Sequence, residues 1–251
     1  EEQIRKGFAY EQQVRQKTFQ LNAINKNLES LVEKRTSEIR QLNSRLETGF
    51  LGSIKLMGAV AHRGDSKSIE HARRVASLCA EVGKQMGWNG RKLLELQIAA
   101  YLHDIAESKD HENTKHPEEA FNLMQMIPNL GAAYGYVRHH HELMNGSGFP
   151  DKLIGDAIPE GSRIIGVVDA YDSALNDSEQ SVRATPRKVF LDPKHRCPQE
   201  FDEKIVSALY ECLKRLGKLN DEEYEISVSL FTLTPGMILS RDLCTKTGRT
   251  I

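Results

Sequence analysis

The chain is 251 residues long and carries 34 Lys and Arg against 35 Asp and Glu. That length holds one good-sized helical domain plus extensions. The near-zero net charge leaves no basic face for nucleic acid and no one-signed field to steer an ion from afar. Cys79, Cys197, Cys212 and Cys244 stand apart without CxxC spacing. Neither a disulfide framework nor a thiolate metal site is therefore expected, and a cytoplasmic location fits. No apolar run is long enough to span a bilayer, and no signal peptide is recognisable. The chain starts at Glu1 and stops at Ile251 within a pattern, and it reads as a piece of a longer protein.

Residues 1–50 are polar, rich in Gln, Glu, Lys, Arg and Asn, and free of proline. Apolar side chains recur at heptad spacing, Val14, Leu21 and Leu28 in one row and Tyr10, Ile24 and Leu31 in the other. Val32, Ile39 and Leu46 continue in a shifted register, as after a stutter. Glutamates and lysines at helical spacing solvate the outer face. So thin an apolar stripe leaves a lone helix marginal in water. The spacing predicts a coiled-coil helix, most simply a parallel homodimer through residues 1–50. A single amphipathic helix folded back on the domain is the alternative.

Residues 51–63 are apolar with helical period and begin the globular part. His62, just ahead of a break at Gly64-Asp65-Ser66, is expected to be a surface or core histidine. Ser68 is expected to cap a helix running through His71, Val75, Leu78 and Val82, with His71 on its apolar side. After a turn at Gly87–Gly90, residues 91–106 form a helix carrying His103 and Asp104 in an apolar run. A buried carboxylate is costly unless it is paired or metal-bound. The segment Ser108–Lys115 is a charged loop, with His111 either solvated or covering the site. Lys115-His116-Pro117-Glu118-Glu119 reads as a helix start, with proline and acids in the first turn.

Val137 leads into His139-His140-His141-Glu142. His140 and His141 can both turn inward only where a helix ends, and Asn145–Gly148 supplies the ending. His139 is then exposed. Glu142 is a candidate to accept the far ring N–H of a ligand imidazole, with a surface salt bridge as the alternative. A loop with Pro150, Gly155 and Pro159 forms one wall of a cleft. Gly161-Ser162 starts the helix that delivers Asp169, and Asp172 beyond it caps or orients rather than ligates. Ser178–Pro198 is loop-like; Arg183 there either grips phosphate or is solvated. Phe201–Leu216 is an amphipathic helix. From Glu225 the alternation of Ile226, Val228 and Leu230, then a turn at Thr234–Met237, suggests a short β-rich appendage. The fold class is all-α, with domains at 1–50, 51–216 and 217–251.

His71, His103, Asp104, His116, His140, His141 and Asp169 are hard to explain by packing alone. Nitrogen and oxygen donors without thiolates suit Fe, Mn, Zn or Ni. Seven donors are too many for one four-coordinate ion and fit two ions sharing a carboxylate.

The segments EHARRVA, LHDIAES, HPEEA, HHELMNGSGFP, IGDAIP and RIIGVVDAYDSAL together resemble the HD-GYP subgroup of the HD superfamily of metal-dependent phosphohydrolases, over about residues 65–210. The resemblance implies an HD-type helical bundle that hydrolyses cyclic di-GMP as the output module of a bacterial signalling protein. It implies one metal held by His71, His103, Asp104 and Asp169. A second would be held by His116, His140 and His141 with Asp104 bridging, Fe or Mn first and Ni or Zn as alternatives. His103, Asp104 and Glu142 are the catalytic candidates. Phe149, Gly148 and Arg183 are the candidates for the substrate. An upstream receiver or sensor domain is implied by the likeness to response regulators. The departures bear on substrate grip. Phe149 replaces the family's tyrosine, Glu107 its lysine after the HD pair, and Asn176–Ser181 its Arg-Pro-Tyr segment. Lys67 stands where some members place a third-metal glutamate, and the loop between His103 and His116 is short for the family. Three readings follow: a dimetal phosphodiesterase, a weakly active cyclic-dinucleotide sensor, and a dimeric adaptor whose metals only stabilise the fold.

Overall fold

The computed structural model describes residues 2–62, 64–107, 114–176 and 199–218. His111, Arg183 and, apart from residues 217 and 218, the expected β-rich appendage lie outside the described residues. Among the described residues the secondary structure is helical, and an isolated antiparallel bridge pairs Asn145 with Ile154. The fold is all-α. The chain divides into two compact units, residues 1–57 and 58–251.

Helix α1 spans Glu2–Ala61 without interruption. It therefore runs through the boundary expected at residue 50. Absence of proline and short-range ion pairs such as Arg15–Glu11 at 3.0 Å and Arg35–Glu38 at 2.8 Å favour it, each by a few tenths of a kcal/mol. Its heptad residues Val14, Leu21, Ile24, Leu28 and Leu31 are exposed, and so are Ile39 and Leu46 beyond the stutter.

In the second unit, α2 spans Ser66–Gln85. Its N-cap is Asp65, whose carboxylate accepts the Ser68 N–H at 3.2 Å and the Ser68 hydroxyl at 2.7 Å. Ser68, the expected cap, lies two residues inside the helix; the acid in extended backbone just before it takes the role. Helix α2 buries small residues, Ala72, Ala76, Ala80 and Gly83. A Cβ on Gly83 would lie 2.9 Å from Leu93 Cδ1, so glycine there permits close approach of the next helix, α3, Gly90–Leu102. Leu96, Ile98 and Leu102 of α3 are fully buried or nearly so, each contributing roughly 1.5–3 kcal/mol of burial.

Helix α3 ends at Leu102 rather than at residue 106, and His103 is its C-cap. Helix α4 spans His116–Met124 with Pro117 in its first turn, and α5 spans Ala133–Arg138. A 3₁₀ turn, Gly155–Ala157, precedes α6, Glu160–Asn176. Helix α7, Glu203–Arg215, is capped by Asp202, which accepts the Lys204 N–H at 2.9 Å; Phe201 stays outside the helix but is buried. Helix α6 packs against α2, α5 and α7. Its Ile164, Ile165, Val167 and Val168 are completely buried. Gly166 faces the end of α5 so closely that a Cβ would lie 2.6 Å from the His140 carbonyl oxygen.

Candidate metal centre

Each donor is placed by an end or an inner face of a helix. His71 lies on α2, His103 and Asp104 lie where α3 stops, and His116 is the first residue of α4. His140 and His141 lie in the turn after α5, and Asp169 is on α6. The early stop of α3 frees Asp104 from the helical register. Its two oxygens then face different partners. Oδ2 lies 2.9 Å from His103 Nε2 and 3.6 Å from His71 Nε2. Oδ1 lies 3.6 Å from His116 Nε2 and 3.7 Å from His140 Nε2. His141 Nε2 is 3.1 Å from His116 Nε2, and Asp169 Oδ1 is 3.2 Å from His71 Nε2. Two groups of donors result, His71–His103–Asp104 and Asp104–His116–His140–His141, the donor atoms within each lying inside 4.8 Å of one another. All seven expected donors are brought together.

These residues fit a cation. His103 Nδ1 faces the Ala100 carbonyl at 3.0 Å, and His140 Nδ1 faces the Val137 carbonyl at 2.6 Å. A carbonyl only accepts, so each Nδ1 carries the proton and each Nε2 presents a lone pair inward. Those Nε2 atoms are buried and, although Asp104 oxygens lie 2.9 and 3.7 Å away, neither makes a well-aligned hydrogen bond among the described residues. A buried imidazole lone pair left open costs free energy unless something electrophilic fills it. The outward N–H anchored on a carbonyl or carboxylate is the arrangement of metal-ligating histidines.

The two groups differ electrically. Burial disfavours the charged form of His71, but hydrogen bonds to Asp104, Asp169 and Asp172 outweigh it and push the ring's pKa up to about 12. Burial would raise the Asp104 carboxyl, yet the His103, His140 and His71 rings hold it well below the usual carboxylate range. Asp169 is likewise held down against burial, chiefly by His71. His141, by contrast, falls to about 3 through burial and the neighbouring His140. One pole of the centre is acid-rich; at the other, His141 is a neutral imidazole.

The surroundings correct several expectations. Glu142 is buried and accepts no imidazole N–H among the described residues. Its Oε1 takes the Asp151 N–H at 2.6 Å and its Oε2 the Leu153 N–H at 3.0 Å, so it anchors the following loop. It faces away because the turn after α5 aims His140 and His141 inward and sends the next residue the other way. His139, expected to be exposed, is half-buried, donating from Nδ1 to the Gly135 carbonyl at 2.9 Å and meeting Asp151 at 2.9 Å. Gly148 is buried, and a Cβ there would lie 2.5 Å from the Glu142 and Leu143 backbone. Packing demands glycine at that position. Phe149 stacks on His141, ring centroids 4.8 Å apart, and meets His116 edge-on at 6.4 Å. Asp172 does orient: it accepts from His71 Nδ1 at 2.8 Å. Its partner Arg74 was not picked out from sequence. The signal was there, since Arg74 follows His71 and Asp172 follows Asp169 by the same three residues, the spacing of one helix face.

A family model described as HD domain matches residues 56–190, more than half of the 251. The chain is 31% identical over 142 residues to the cyclic di-GMP phosphodiesterase response regulator RpfG of Xanthomonas campestris pv. campestris, covering 49% of this chain and 37% of that one. It is 27% identical over 134 residues to 3′3′-cGAMP-specific phosphodiesterase 1 of Vibrio cholerae, covering 47% of this chain and 31% of that one. The chain thus spans well under two thirds of these relatives. A solved structure of a cyclic GMP-AMP specific phosphodiesterase from V. cholerae superposes with a TM-score of 0.51 at 17% identity, over 64% of this chain and 47% of that one, which shows likeness of fold.

Proposed function

Because the chain belongs to the HD domain family, with motifs of the HD-GYP type, we propose that it is a metal-dependent phosphodiesterase acting on a cyclic dinucleotide, cyclic di-GMP in the first place. The observation that carries this reading is Asp104, one largely buried carboxylate whose two oxygens address two separate sets of imidazoles. His71, His103, Asp104 and Asp169 would hold one divalent transition-metal ion, and Asp104, His116, His140 and His141 another. Fe and Mn suit such nitrogen and oxygen donors, with Ni and Zn next. Bound there, the ions would supply Lewis-acid chemistry at a phosphodiester and lower the pKa of water.

The chain's own residues do the rest. Buried His103 and His140 present fixed lone pairs, so the centre needs little reorganisation when it fills. Carboxylates of Asp104 and Asp169 balance the added positive charge. Phe149, stacked on His141 with the ring planes inclined by 30°, offers an aromatic face at the centre's edge on which a nucleobase could stack. Activity resides in residues 58–218; the exposed apolar stripe of α1 would pair with that of a second copy, linking the domain to an upstream signalling module.

A second reading has its own support. Phe149 brings no hydroxyl and Glu107 no cation to the substrate side, which favours a sensor that binds cyclic dinucleotide with little turnover. Purified protein loaded separately with Fe, Mn, Ni and Zn decides between them in a single-turnover assay with cyclic di-GMP and 3′3′-cGAMP. Linear product that disappears in Asp104→Ala supports the phosphodiesterase. Saturable binding without product supports the sensor, and an absence of both product and binding refutes both readings.

A further inference from the structure

The geometry points to Arg74 and Asp172 as a positioning pair that sets the metal affinity of only one half of the centre, by holding the His71 ring. The inference rests on the dimetal reading above. His71 Nδ1 donates to Asp172 Oδ2 at 2.8 Å. On the opposite side, Arg74 Nε donates to Asp172 Oδ1 and Arg74 Nη2 to Oδ2, both at 2.7 Å. The Asp172 side chain is only 8% exposed and Arg74 34%, so water competes weakly for these bonds.

The reason lies in where each histidine sits. His103 and His140 follow the ends of α3 and α5, where the carbonyls of Ala100 and Val137 accept their Nδ1 protons. Backbone holds those rings, and no substitution removes it. His71 sits inside α2, where carbonyls are already engaged by the helix. Its ring must take a side-chain partner from another element, and α6 supplies Asp172. A lone carboxylate can still turn about its own axis. The planar guanidinium fork of Arg74 fixes the plane of the carboxylate, and hence the line along which Nε2 points at Asp104 and Asp169. Lysine would provide the charge without the fork. Among the described residues the pair bonds to His71 and to none of His116, His140 or His141, so its effect falls on the group of donors that contains His71.

The test is a titration of metal-free protein with Co2+ alone, followed by calorimetry and visible absorption, with a competing chelator to resolve tight binding. Wild-type protein should take two equivalents. Asp172→Asn and Arg74→Met should weaken one equivalent by about 10- to 100-fold and leave the other unchanged. Arg74→Lys should recover part of the loss. His116→Ala should weaken the opposite equivalent, which assigns the two. Thermal unfolding of the metal-free variants checks that the bundle persists. Both equivalents weakening together would mark the pair as merely structural and overturn the inference, as would two unchanged equivalents. A wild-type protein that binds no Co2+ removes the dimetal reading itself, a result distinct from either of these.

Discussion

Replacing Glu142 separates an anchored loop from a tuned ligand. Its carboxylate accepts two backbone N–H groups, from Asp151 at 2.6 Å and Leu153 at 3.0 Å, and the residue is 5% exposed. A hydrogen bond to a charged acceptor is worth about 1.5–3 kcal/mol. Glu142→Gln keeps one carbonyl oxygen and turns an amide donor toward the other N–H, so about 2 kcal/mol should be lost. For a domain of this size that lowers Tm by about 4–8 °C. Glu142→Ala abandons both donors and should cost more, about 3–5 kcal/mol. Calorimetry should be done on metal-free protein, since bound metal would add its own stabilisation. Metal affinity measured in parallel should stay near that of the wild type. A carboxylate bonded to a ligand ring would behave oppositely, losing about 10- to 100-fold in affinity. Unchanged Tm in Glu142→Gln together with a tenfold loss of metal affinity would refute the loop-anchor argument.

Other consequences follow from the same contacts. Gly166→Ala places a Cβ 2.6 Å from the His140 carbonyl oxygen, so α6 and the histidine turn must part; a loss of about 1–3 kcal/mol in chemical denaturation and weakened metal binding are expected together. Asp151 is held at a pKa of about 2, against an ordinary 3.8, chiefly by the Arg138 guanidinium and also by His139. A depressed carboxyl stabilises the fold above its ordinary pKa and stops doing so as pH falls through its folded value. Asp151→Asn should therefore lower Tm at pH 7, with the gap to wild type closing between pH 3.8 and about 2. Leu21 and Leu28 are more than half exposed along α1; if they form a dimer seam, Leu21→Glu with Leu28→Glu should convert a dimer to a monomer in sedimentation equilibrium.

Helix starts and stops were legible where local chemistry decides them. Pro117 with two following acids opens α4, and the turn from Gly87 to Gly90 separates α2 from α3. The cap of α2 was misplaced by three residues because Asp65 and Ser68 are both good caps, and only backbone conformation chooses between them. The end of α3 was placed too late. An apolar run continues through Ile105 and Ala106, and periodicity alone has no term for a chain that leaves the helix to bring Asp104 between four histidines.

By itself the sequence determined the inventory: imidazoles and carboxylates set in apolar runs, where none could stay without a partner, in an order that matches an HD domain. Tertiary structure alone decided who serves whom. Asp172 reaches across 101 residues to orient His71, while Glu142, adjacent to two ligands in sequence, turns away to hold a loop. Spacing along a helix tells which residues share a face. Which face meets which neighbour depends on how helices pack, and that is set by distant contacts such as Gly83 on Leu93 and Gly166 on the His140 carbonyl.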